Sequence, residues 1–195
     1  LIILLSKACF TVSFKNSCGL LNKMKSAEIL DEDFVVSTNF SPITLKNITI
    51  NTLKDILKEY QVETKHISIE ITESIMIEID QVSQLLTELF KLGINVEIDD
   101  FSAGNSSLGI LPILNASTVK IDMGVLPDLG NNKETLVYDS LITLSKQLGL
   151  KIISEGVETV EHVDYLEGRV DGIQGYYYSK PIDVKKFMKL IKEYK

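Results

Sequence analysis

The chain has 195 residues, 45% hydrophobic and 24% charged, enough for one sizeable core and too few for two ordinary domains. Its 20 Lys and Arg stand against 27 Asp and Glu, a formal net charge of -7, which argues against a protein that grips polynucleotides by neutralising phosphates. The apolar opening, Leu1 to Leu5, is far short of the ~20 residues of a membrane span and lacks the basic region and cleavage site of a secretory leader.

No membrane insertion is therefore expected. Cys9 and Cys18 are too few for a disulfide framework and read as reduced thiols of a cytoplasmic protein. An amphipathic helix is expected from about Leu4 to Lys25. Beyond it, short β-rich runs alternate with helical segments. The runs are Phe34 to Phe40, His66 to Thr72, Ile94 to Asp99, Thr118 to Asp122, Lys151 to Ser154 and Val170 to Tyr176. Helical apolar spacing appears between them at Leu53, Ile56 and Leu57, at Val82, Leu85, Leu86, Leu89 and Phe90, and at Leu136, Leu141, Leu144 and Leu148. Strands joined by helices of this length predict βαβ units and a parallel α/β sheet. One domain is expected, with an N-terminal helix and connection over residues 1–33 and six strand–helix units over 34–195.

Nearly every run carries, at or near its C-terminal end, a polar residue that strand packing does not need. In order these are Asn39, Glu70, Asp99 with Asp100, Lys120 with Asp122, Glu155 and Gln174. A doubly wound sheet binds its ligand at one switch point, whereas a barrel gathers all its strand ends around one mouth and builds its active site there. An incomplete TIM-like (β/α) barrel, short of N-terminal strands, is the better reading. Asn39, Glu70, Asp99, Asp100 and Glu155 are all oxygen donors, and carboxylates gathered without counter-charge raise one another's pKa values. A hard divalent cation resolves that conflict, and Mg²⁺ or Mn²⁺ suits the oxygen set better than zinc does. His66 and His162 are expected at the surface, away from any metal. Adjacent acids such as Asp99 and Asp100 can bridge two metals, an arrangement suited to phosphodiester cleavage. Lys120 would then add positive charge beside the attacked phosphate or orient the attacking water.

Each residue alone has a plainer reading: Asn39 as a helix cap, Glu70 as a solvated strand residue, Asp99 with Asp100 as a turn, Lys120 with Asp122 as an ion pair, Glu155 as a loop carboxylate, Gln174 with Gly175 as a bulge. Those readings would have to hold independently at six successive strands.

Taken in order, Val36 to Ser41, Glu70 to Ser74, Ile98 to Phe101, Ser106 to Leu108, Val119 to Asp122, Ser154 to Thr159 and Gln174 to Pro181 resemble the EAL domain, the bacterial cyclic-di-GMP phosphodiesterase family. The resemblance implies a modified TIM barrel that opens cyclic-di-GMP to linear pGpG with two Mg²⁺ or Mn²⁺ ions. It further implies that Asn39, Glu70, Asp99, Asp100 and Glu155 are metal ligands, that Lys120 and Gln174 order the catalytic water, and that Asp122 is a supporting acid. Glu73, with Ser106 and Ser107, resembles the support of the loop after the acid pair, a loop that links the metal site to a homodimer in the family.

Two departures stand out. The signature Glu-Ala-Leu and the strands that carry it are not found, the nearest look-alike being Ala27 to Leu30 just before the asparagine strand. The loop also has Ser102, Ala103 and Asn105 where the family usually has Gly, Thr and Tyr. The alternative they suggest is a catalytically inactive module that binds cyclic-di-GMP or a protein partner.

Overall fold

The computed structural model describes residues 2–72, 79–102, 111 and 114–193. Its chain contacts form two units, Leu1–Ile71 with Ile77–Val96 and Pro181–Lys195, and Thr72–Met76 with Glu97–Lys180. Six strands follow one another in the sheet in chain order.

In the first unit, helix α1 (Ile2–Ser26) buries Phe10, Phe14, Cys18, Leu21 and Met24, steps of three and four residues that keep one face inward. That face lies on β1 (Val36–Phe40), where Phe10 meets Phe40 edge-on with ring centroids 4.0 Å apart. The buried hydroxyl of Thr38 is matched by Ser17 Oγ at 3.0 Å. Helices α2 (Pro42–Asn47) and α3 (Ile50–Tyr60) each begin at a side-chain cap, Ser41 accepting from Thr44 N–H and Thr49 from Thr52 N–H. Such caps satisfy backbone donors that the first turn leaves free. Helix α3 turns Leu53, Ile56 and Leu57 inward, as their spacing predicts. Strand β2 (Ile67–Thr72) is buried along almost its whole length, the pattern of a strand covered on both faces. It runs parallel to β1 with Asn39 opposite Glu70. Helix α4 (Ile79–Lys91) buries Leu85, Leu86 and Leu89 but exposes Phe90. Helix α7 (Val184–Glu193) sets Phe187 against Phe34, ring centroids 6.1 Å apart.

The second unit continues β3 (Asn95–Phe101) through β4 (Thr118–Ile121), α5 (Asn132–Gln147), β5 (Lys151–Ser154), α6 (Val160–Leu166) and β6 (Gly172–Ile173). The pairs β3–β4, β4–β5 and β5–β6 are all parallel, and α5 and α6 supply the crossovers of the last two pairs. The inward face of α5 is Tyr138, Ile142 and Ser145, while Leu136 is exposed and Leu141, Leu144 and Leu148 are half-buried. The leucine spacing therefore pointed about one residue off the true face. The reason is chemical: a Tyr and a Ser, each hydrogen-bonded, occupy inward positions that a purely apolar pattern assigns to its neighbours.

Both histidines depart from the surface positions expected of them. His66 is only 5% exposed, and its Nδ1 lies 2.7 Å from the carbonyl of Phe34, so it ties the start of β2 to the segment entering β1. His162 is half-buried on α6, with Nε2 3.2 Å from the Pro127 carbonyl. Among the described residues, no helix is long and apolar enough to cross a membrane.

Candidate metal centre

The acid pair is built by a slip in strand register. Ile98 pairs with Val119, but the next partner of Ile121 is Phe101, so Asp99 and Asp100 together face the single residue Lys120. Two residues against one is a β-bulge, and Asp100 takes the positive φ of 55° that the extra residue demands. Ile98 and Phe101 stay buried on the helix-covered side at 1% and 0% exposure, while both carboxylates are released from that side. A regular strand would have turned one of them into the apolar layer.

Lys120 is the cation that holds this cluster. It is 4% exposed, and its Nζ donates to Asp99 Oδ1 at 2.7 Å and meets Glu155 Oε1 at 2.8 Å. Asp99, Asp100 and Glu155 each bring a carboxylate oxygen within 4.8 Å of the other two. One ammonium among three acids does not balance them. Burial pushes the Glu155 carboxyl above its usual range, with Asp99 and Asp100 adding to the rise and Lys120 opposing it. Asp100 is raised as well, by burial first and then by Asp99 and Asp122. The cluster is short of positive charge and offers only hard oxygen donors, so a divalent ion such as Mg²⁺ or Mn²⁺ fits it.

Two tight contacts fix the loops that follow β5 and β6. Glu155 N–H donates to the Ile121 carbonyl at 3.0 Å, and Gln174 N–H to the Ser154 carbonyl at 2.8 Å. Val157 N–H then donates to the Gln174 carbonyl, and Tyr177 N–H to that of Val157. Gly156 turns at φ 69°, where an added Cβ would lie 2.2 Å from Met123 Cβ, and a Cβ on Gly175 would lie 2.0 Å from the Val157 carbonyl oxygen. No side chain fits at either position, which accounts for Glu-Gly and Gln-Gly pairs at these two strand ends.

The other expected site residues fall as follows. Asp122 caps the short 3-10 turn Met123–Val125 by accepting from Gly124 N–H at 2.8 Å, which supports the β4 exit. Gln174 lies just past β6, its backbone in the loop ladder described above. Asn39 and Glu70 belong to the first unit as register partners, Asn39 exposed and Glu70 8% exposed. Asn39 does not cap α2; Ser41 does. Glu73, Ser106 and Ser107 lie outside the described residues, as do Ala103 and Asn105. Ser102 is described, and its φ is 77°, the left-handed region that favours the glycine usual there in the resembled family. The bulge itself was missed in the sequence, although the buried positions Val96, Ile98 and Phe101 break step by one residue and so mark it.

The EAL domain family matches residues 5–181. Signaling protein YkoW of Bacillus subtilis (strain 168) is 33% identical over 144 residues, which is 72% of this chain and 18% of YkoW. PdeN of Escherichia coli (strain K12), described as a probable cyclic di-GMP phosphodiesterase, is 36% identical over 129 residues, 65% of this chain and 25% of PdeN. This chain thus spans a quarter or less of the length of these relatives. The structure of the EAL enzyme Bd1971 with cAMP and cyclic-di-GMP bound superimposes with a TM-score of 0.88 at 28% identity, covering 97% of this chain and 52% of that one. EAL domains are TIM-like α/β barrels, and six parallel strands with intervening helices agree with that class. By the match over most of its length, the chain belongs to the EAL domain family.

Proposed function

We propose that this chain hydrolyses cyclic-di-GMP to linear pGpG at a site that holds divalent metal ions, acting as one cytoplasmic EAL-type domain over residues 1–195. The observation that carries the proposal is the cluster of Asp99, Asp100 and Glu155 around Lys120. Family membership and the cyclic-di-GMP-bound Bd1971 structure support the choice of substrate.

Asp99, Asp100 and Glu155 would hold Mg²⁺ or Mn²⁺. Asn39 and Glu70 are proposed as further oxygen ligands on the family resemblance alone. Bound ions supply Lewis acidity at the phosphoryl oxygens and a nucleophilic water at neutral pH, and two of them would serve both sides of the displacement. Lys120 Nζ, fixed by two carboxylates, orients the attacking water and offers positive charge to the phosphate. Glu155 would take the water's proton as the new P–O bond forms. The P–O3′ bond then breaks, and the departing oxygen takes up a proton from solvent to leave as a 3′-hydroxyl, while Glu155 releases to solvent the proton it accepted. Asp122 and Gln174 steady the ends of β4 and β6 on either side of β5. A homodimer and the loop-supporting roles of Glu73, Ser106 and Ser107 are carried over from the resemblance as part of this proposal.

Binding of cyclic-di-GMP without hydrolysis is the second reading, and the positive φ of Ser102 immediately after the acid strand favours it. Incubation of the folded chain with cyclic-di-GMP and Mn²⁺, with pGpG followed by chromatography, separates the two. Turnover absent from Glu155→Gln supports hydrolysis at this site. Equal turnover in that variant overturns it, and saturable binding with no turnover selects the second reading.

A further inference from the structure

Glu155 is the first residue past the β5 ladder, and Gly156 turns away immediately after it. Its backbone is held by the Ile121 carbonyl and its carboxylate by Lys120 Nζ, and the last ladder residue, Ser154, sets where the strand delivers that carboxylate. Alternation along β5 places Ile153 with Glu155 on one side of the strand and Ile152 with Ser154 on the other. Register agrees: Lys120 faces Ile153, and Ile121 faces Ser154. Ser154 therefore points toward the helix layer, and its side chain is fully buried.

There the Tyr138 hydroxyl of α5 donates to Ser154 Oγ at 2.6 Å, and Tyr138 is itself 0% exposed. Val119, Ile121, Ile142 and Ile152 are the other buried apolar residues of α5, β4 and β5, and Ser145 is buried on α5 as well. Replacing both members of such a buried hydroxyl pair by apolar groups of the same shape can be nearly neutral for stability, which leaves room for a second role. The helix end of the link is rigid. Asp139 accepts hydrogen bonds from Tyr165 and Arg169 of the α6 region, and the Arg169 guanidinium lies 4.3 Å from the Tyr165 ring centroid.

We infer that Tyr138 is a positioning residue for the metal centre, fixing the Glu155 carboxylate through its hydrogen bond to Ser154. The inference rests on the proposed role of Glu155 as a metal ligand. Groups that orient metal ligands from behind contribute measurably to metal affinity; here the orientation passes through one peptide unit.

The test is a calorimetric titration of Mn²⁺ into the wild-type chain, Tyr138→Phe, Ser154→Ala and the double variant, with a thermal melt of each in EDTA. Each single variant strands one buried hydroxyl and is expected to melt lower. The double variant strands neither and is expected to recover most of the melting temperature. All three are expected to bind Mn²⁺ roughly tenfold more weakly, the low end for residues behind the ligands, with no further loss in the double variant. Recovery of Mn²⁺ affinity together with melting temperature in the double variant overturns the inference, since the pair would then be only structural. Unchanged affinity in all variants overturns it as well. A wild-type chain that binds no Mn²⁺ refutes the metal-site reading itself, and is thereby distinguishable from a failure of the inference alone.

Discussion

Lys120→Met is the most informative single perturbation of the cluster. Its side chain is 5% exposed, and those of its partners Asp99 and Glu155 are each 13% exposed. The three charges are thus mostly removed from water. Methionine keeps the volume of the stem and removes the ammonium, leaving two buried carboxylates with Asp100 close by. Removing one partner of a buried ion pair costs about 3–5 kcal/mol, because the remaining charge keeps its desolvation penalty. For a domain of this size that corresponds to a fall of roughly 6–20 °C in melting temperature. The assay is a thermal melt in EDTA at neutral pH, repeated in mildly acid buffer and with Mn²⁺. The loss is expected to shrink in acid, since Glu155, whose carboxyl burial already holds above its usual range, can then take up a proton and shed uncompensated charge. Saturating Mn²⁺ is expected to restore part of it, about 2.7 kcal/mol at a hundredfold excess over Kd. A variant that melts within about 2 °C of the wild type in EDTA, less than 1 kcal/mol by the same scaling, would refute the view that Lys120 holds the carboxylates together.

Two further predictions use the same geometry. Gly175→Ala drives a methyl group onto the Val157 carbonyl, where 2.0 Å is available, and is expected to destabilise by about 2 kcal/mol or more through backbone displacement; an unchanged urea midpoint would contradict the interlocked loops. Asp100 and Glu155 carry pKa values raised in the folded state, so the folded, metal-free protein binds protons more tightly there than the unfolded chain does. These two groups therefore oppose folding above their raised pKa values and cease to do so as pH falls through them toward the ordinary carboxylate range. Mn²⁺ competes with the same protons, and its affinity is expected to fall as the pH is lowered from neutral toward the ordinary carboxylate range; a pH-independent Kd would show that these two carboxylates do not bind it.

The alternation of strands and helices was legible because each element states its own period, as in Ile67, Ile69 and Ile71 or Leu53, Ile56 and Leu57. Legibility failed where a polar residue took an inward place. Tyr138 and Ser145 face the core of α5 by pairing their hydroxyls with Ser154 Oγ and the Leu141 carbonyl, and His66 is buried through the Phe34 carbonyl. No apolar pattern registers a partner that lies far away in sequence. Asp99, Asp100, Lys120 and Glu155 were readable as a set because their chemistry is out of place at strand ends. Their assembly was not: it needs the bulge in β3, which appears in the sequence only as a one-residue slip between Ile98 and Phe101. The pairing of Lys120 with Asp99 and Glu155, in contrast to an ion pair with Asp122, likewise follows from Asp122 turning to cap the next turn.

The most direct test of the account is a crystal structure of the chain grown with Mn²⁺ and cyclic-di-GMP, with anomalous scattering collected at the manganese edge. An anomalous peak within coordination distance of Asp99, Asp100 and Glu155, with Lys120 Nζ turned to the phosphate or its attacking water, is the predicted result. A peak elsewhere, or Lys120 still closing a metal-free cluster beside bound cyclic-di-GMP, would contradict it.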